Sequence, residues 1–125
     1  MEFLLDSVIL IDHFNDITEA TAYLADVENK AAISVVTRAE VLTGFEADSS
    51  EEIEFLDEFP LLEITKPVAD LTASLRREHG WKLPDAFQAA LARHHDLKLA
   101  TRNTRDFSPE RHGFVVVPYA LGTEN

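Results

Sequence analysis

Phe3-Leu4-Leu5-Asp6 is a short apolar run stopped by an acid, and Val8-Ile9-Leu10-Ile11-Asp12-His13-Phe14 follows it as one or two turns of helix. A run this short and apolar reads as a strand buried on both faces. The alternation repeats outward along the chain. Ala31-Ala32-Ile33-Ser34-Val35 is a second strand, Leu61 to Ile64 a third, Lys98-Leu99-Ala100-Thr101 a fourth and Phe114 to Val117 a fifth. Helical patterns fill the intervals. Thr18 caps a helix to Val27, with Ala20, Leu24 and Val27 on one face. Thr37-Arg38-Ala39-Glu40 reads as a capping box opening a helix that Gly44 ends. Acidic helix 49–58 carries Ile53 and Leu56, with Phe59 just beyond at the same spacing, as a face for core packing or, alternatively, for dimer contacts. Thr65 caps a helix with Pro67 in its first turn and Val68, Leu71 and Leu75 as its stripe. Pro84 starts an alanine-dense helix through Ala92. Strands alternating with helices predict an α/β fold, with a mostly parallel sheet and helices on both faces. Without a repeat, low-complexity tract or linker, residues 1–125 read as a single domain.

The composition is 46% apolar and 27% charged, ordinary for a folded soluble domain. No apolar run is long enough to span a bilayer, and the first residues carry Glu2 and Asp6 where a secretory signal carries basic residues. A cytoplasmic protein with no membrane association is expected. The absence of cysteine leaves oxygen and imidazole as the only metal ligands. A net charge of −12 argues against a protein that coats nucleic acid. Its distribution is uneven, however. Residues 1–65 hold two basic side chains against sixteen acids, whereas residues 66–125 hold nine against seven. Any contact with phosphate is expected in the second half, through Arg76, Arg77, Lys82, Arg93, Arg102 or Arg105.

In an open parallel sheet, ligands bind beyond the carboxyl ends of the strands. Asp6 closes the first strand, Glu40 lies in the helix after the second, Asp85 opens the alanine-rich helix, and Asp106 follows the fourth strand by a short loop. Each has a purely structural reading as well. Asp6 suits a turn or cap, Glu40 completes the capping box, Asp85 complements a helix dipole, and Asp106 precedes the turn-like Phe107-Ser108-Pro109. Brought to one rim, four carboxylates would repel one another, and a divalent cation would remove that difficulty. An all-oxygen site suits Mg²⁺ or Mn²⁺ and makes phosphodiester hydrolysis by metal-activated water chemically reasonable. No Ser-His or Cys-His arrangement supports a side-chain nucleophile. His79, His94, His95 and His112 form no zinc-ligand motif, and packing or surface roles are expected for them.

Four stretches, taken in order, resemble the PIN-domain family and its VapC-type toxins over essentially the whole chain. They are Leu4 to Asp12, Ser34 to Gly44, Leu83 to Ala92 and Ala100 to Phe107. The resemblance implies a Rossmann-like sheet and Mg²⁺- or Mn²⁺-dependent RNA cleavage that leaves a 3′-hydroxyl and a 5′-phosphate. It implies Asp6, Glu40, Asp85 and Asp106 as metal-binding catalytic acids. Thr101 and Asn103 would line the pocket, with Arg102 and Arg105 exposed beside it for substrate. A VapB-like antitoxin laid over the acids and a homodimer are the implied partners. One departure is Val8, apolar where the family often has a polar residue two positions after the first acid. It also removes the Asp-x-Asp pair that a haloacid-dehalogenase-type phosphatase would need.

The alternative reading is a PIN-like interaction module that keeps the fold and pocket without the activity. A receiver-type signalling domain fits less well. It needs a phospho-accepting Asp after the third strand, where this chain has Thr65-Lys66-Pro67.

Overall fold

The computed structural model describes residues 1–121, so the last four positions of the expected 1–125 domain lie outside the described residues. The elements run β1 (Phe3–Leu5), α1 (Ser7–Phe14), α2 (Thr18–Asp26), β2 (Ala31–Ser34), α3 (Val35–Thr43) and α4 (Ser50–Asp57). After these come β3 (Leu61–Leu62), α5 (Lys66–His79), α6 (Leu83–His94), β4 (Lys98–Ala100) and β5 (Val115–Val116). Every strand pairing is parallel, in the order β3-β2-β1-β4-β5, with Leu4 opposite Ala32 on one side and Leu99 on the other. The α/β fold expected from the sequence is the fold observed.

Successive side chains on a strand point to opposite faces, and here that period sorts residues into two cores. Leu4, Leu99 and Val115 pack with Val68 and Leu75 of α5 and with Ala86, Ala89, Ala90 and Leu91 of α6. Leu5, Ala100 and Ile33 pack instead with Ile9 and Leu10 of α1, Leu24 of α2, Val41 of α3 and Leu56 of α4. Helices therefore cover both faces. The methyl side chains of α6 are fully buried, which lets its backbone approach the sheet closely. Val8 is partly buried against the α1–α4 core, and this packing accounts for an apolar residue at that position.

Several local expectations are corrected. The third strand is shorter than Leu61 to Ile64, and Val35 begins α3 instead of ending β2. Thr18 is the first helical residue of α2, while Ile17 stands at the cap without a side-chain bond. The Thr37–Glu40 capping box does not form. Ser34, the last residue of β2, caps α3 directly by accepting from the Thr37 N–H at 2.9 Å. The helix thus starts before Thr37, and Glu40 is released from any capping duty. Thr65 does cap α5, accepting from the Val68 N–H at 3.5 Å. Gly80 then ends that helix at φ 71°, a left-handed conformation that glycine adopts without steric cost.

The chain lays down β1, β2 and β3 outward in one direction, then returns past β1 to add β4 and β5 on the other side. Strand order reverses between β1 and β4. The chain leaves β1 as α1 and leaves β4 as a loop, and a crevice at the carboxyl ends of the strands is expected at such a reversal.

Candidate active site

Asp6 sits at that crevice. It is both the residue after β1 and the N-cap of α1, and its backbone N–H donates to the Ala100 carbonyl at the end of β4 at 2.9 Å. Its side chain is 6% exposed and held by donors on both oxygens. Oδ1 accepts from the Ser7 N–H at 2.9 Å and from Gln88 Nε2 at 3.3 Å, while Oδ2 accepts from Thr101 Oγ1 at 2.6 Å. Burial raises the carboxyl's pKa, and these three hydrogen bonds only partly offset it.

The other three acids reach the same rim from different elements. Asp85 lies in the first turn of α6 and is partly buried. Its pKa is pushed up to about 6, first by burial and then by the charges of Asp6, Asp106 and Glu40, with Lys82 opposing weakly. Glu40 follows Thr37 by three residues on α3 and so shares its face. The Thr37 hydroxyl donates to the Leu5 carbonyl at 3.2 Å, which turns that face toward the end of β1. Glu40 is exposed overall, yet burial at its carboxyl raises its pKa; a hydrogen bond from Ser7 opposes this, and Asp6 adds to it.

Asp106 is carried by the loop after β4. Thr101 Oγ1 accepts from the Asn103 N–H at 2.9 Å, and Asn103 Nδ2 donates to Asp106 Oδ2 at 3.1 Å. Thr101 and Asn103 therefore link Asp6 to Asp106. Next in the chain, Phe107 is fully buried in the α5–α6 core, and burying such a ring contributes roughly 2–3 kcal/mol that anchors the loop.

The four acids thus share one electrostatic field, and among the described residues none of them is ion-paired to Lys or Arg. Among the same residues, no three acids or histidines are already gathered into a ligand cluster. The rim is a concentration of unpaired negative charge, not a closed cage. Carboxylates that disfavour one another's ionised form, with oxygen as their only donor atom, fit a hard divalent ion such as Mg²⁺ or Mn²⁺.

Sequence reasoning missed Gln88. It is 1% exposed and joins three elements: Nε2 donates to Asp6 Oδ1 and to Thr37 Oγ1 at 2.5 Å, while Oε1 accepts from Ser34 Oγ at 2.7 Å. The available signal was a lone amide within an alanine run, three residues after Asp85 and hence on its face. Arg102 was expected exposed beside the pocket. Instead its guanidinium clasps the buried Asp12 in a two-pronged ion pair, Nε to Oδ2 at 2.7 Å and Nη2 to Oδ1 at 2.9 Å. Tyr119 OH donates to the same carboxylate at 2.7 Å. Arg105 is exposed, as expected.

A parallel α/β domain with an acidic rim at its strand-order reversal defines a class of folds, and sequence and structure comparisons narrow that class. The PIN domain family model matches residues 3–109, and the chain belongs to that family. No curated protein matches it in sequence. Among solved structures, it is similar to a chain of a toxin–antitoxin complex from Klebsiella pneumoniae. That likeness has 36% identity and a TM-score of 0.85, covering 96% of this chain and 100% of the other. FitAcB from Neisseria gonorrhoeae is similar at 24% identity and TM-score 0.74, over 95% of this chain and 99% of that one. VapBC2 from Rickettsia felis, bound to a promoter DNA fragment, has 18% identity and TM-score 0.74, over 93% and 96%. These last two likenesses speak for the fold alone. The resemblance to PIN domains, read first from four short stretches, holds.

Proposed function

We propose that residues 1–125 act as one domain, the toxin of a VapBC-like toxin–antitoxin pair, and that it is a Mg²⁺- or Mn²⁺-dependent endoribonuclease. The observation that carries the catalytic half is the raised pKa of Asp85, to which Asp6, Asp106 and Glu40 all contribute. The toxin half rests on the likeness to a chain of the Klebsiella toxin–antitoxin complex. Asp6, Glu40, Asp85 and Asp106 would hold the ion, directly or through water. The bound ion would lower the pKa of a water and offset charge developing on the phosphoryl oxygens.

The chain's own residues fix the acids in place. Ser7, Gln88 and Thr101 orient Asp6, the first two through Oδ1 and the third through Oδ2. Asn103 orients Asp106. Asp85, the least restrained of the four, has its basicity raised by burial first and by the other three acids after it. In this reading the protein works in the cytoplasm as a homodimer, and a VapB-like antitoxin silences it by covering the rim.

The test uses protein freed of antitoxin, incubated with structured RNA and Mg²⁺. Cleavage leaving a 3′-hydroxyl and 5′-phosphate is expected, and Asp85→Asn should reduce it on the order of 100-fold or more. RNA left intact in both Mg²⁺ and Mn²⁺ would leave an interaction module and sink the enzyme.

A further inference from the structure

Beside the acidic rim lies a polar cavity of about 500 Å³, whose lining includes Glu78, His79, Trp81, Arg105, Arg111 and His112 together with Asp106. The left-handed turn at Gly80 brings the chain back after α5, and Arg76 Nε holds the turn by donating to the Trp81 carbonyl at 3.1 Å. Trp81 is 7% exposed and forms the wall. His79 stacks on it with ring centroids 4.2 Å apart, and His112 meets it edge-on at 5.2 Å. Trp81 Nε1 donates to the Asp106 carbonyl at 3.2 Å, which joins this wall to the acidic loop.

The arginines of this cavity differ from most of the others, although Arg93 on α6 is likewise exposed and, among the described residues, without a side-chain partner. Arg38, Arg76, Arg77 and Arg102 are each tied to Asp57, the Trp81 carbonyl, Ser74 or Asp12. Arg105 and Arg111 are exposed and, among the described residues, their guanidinium groups have no hydrogen-bond or ion-pair partner. Glu78 stands 3.5 Å from His79 and is the nearby acid besides Asp106. Burial, then His79 and Arg111, lower the His112 pKa, as expected where cationic groups converge. A chain of net charge −12 repels polyanions, so two unpaired guanidinia against a rigid aromatic wall are placed where a strand's phosphate most needs a counter-charge.

Resting on the nuclease reading, we infer that this cavity is a phosphate subsite for the RNA strand. Arg105 and Arg111 hold a phosphodiester neighbouring the one presented to the acids, and the His79–Trp81–His112 rings fix the floor. Arg111 and the three rings thereby join the substrate surface, and the strand is set in one register across Asp106.

Binding of a fluorescein-labelled single-stranded RNA 12-mer to full-length Asp85→Asn protein separates this idea from the nuclease reading. Adding Arg105→Ala and Arg111→Ala together should weaken binding about tenfold at low salt. It should also make the slope of log K against log salt shallower by about 1.4, near 0.7 for each lost phosphate contact on a single strand. Lys66→Ala, about 20 Å away along α5, is the comparison and should change neither. Unchanged affinity and slope in the double variant, with wild-type cleavage intact, would overturn the subsite and leave the nuclease standing. Arginine-dependent binding with no wild-type cleavage would keep the subsite and overturn the nuclease. No RNA binding together with no wild-type cleavage would end both.

Discussion

Two groups of carboxylates flank the β1–β4 crevice, and they have opposite electrostatic fates. Asp12, on α1, is 5% exposed, yet its pKa lies below the ordinary value. Burial pushes it up, but hydrogen bonds from Arg102 and Tyr119 and the guanidinium charge outweigh that push. Asp6 is just as buried and its pKa is raised, because its partners are a backbone N–H, an amide and a hydroxyl, none with a full charge. Asp85 is pushed up to about 6 by burial and by its acidic neighbours. One group is neutralised from within and closed. The other is held in position and left short of positive charge, which is what the proposed metal site would require.

The sharpest way to break this comparison is to remove the internal cation. Arg102→Ala leaves Asp12 buried and uncompensated, and should cost about 3 kcal/mol in urea unfolding. A loss below about 0.5 kcal/mol would mean that the pair is no more than an exposed ion pair. A smaller effect is expected from filling the other group. Mg²⁺ at about ten times its Kd should stabilise the wild-type by roughly 1.4 kcal/mol, and Asp85→Asn should lose most of that gain. Equal stabilisation of both proteins would place the ion elsewhere.

The smallest effect is a pH dependence that runs in opposite directions for the two groups. Asp85 has a folded pKa raised to about 6 from 3.8, so its ionised form is disfavoured by the fold. Metal-free protein should therefore lose stability as pH rises from about 4 to 6, by ~1 kcal/mol after allowing for solvent screening at a partly exposed group. Asp12, with its pKa lowered, contributes stability above 3.8 that is lost as pH falls through its folded pKa. Melting temperature measured across pH 3 to 7 without metal should show both limbs, and in Asp85→Asn the upper one should flatten.

Much of this was legible in one dimension. Apolar runs such as Phe3–Leu5 and Lys98–Ala100 announced buried parallel strands, and the acids placed after strands or at helix starts marked one rim. The capping box at Thr37 misled because a three-residue spacing has the same form whether Thr37 or Ser34 begins the helix. Only the junction with β2 distinguishes them. Gln88 was hidden because a single amide in an alanine helix carries no local signal of the three elements it ties together.

Sequence alone determined the alternation of elements, the hand-over of acids to the strand ends and the division of charge between the halves, because periodicity and capping act over a few residues. Tertiary packing decided which carboxylates would be neutralised. Asp12 meets Tyr119 across 107 positions and Asp6 meets Gln88 across 82, and such partners are chosen by how sheet and helices close over one another, not by any neighbour in the chain.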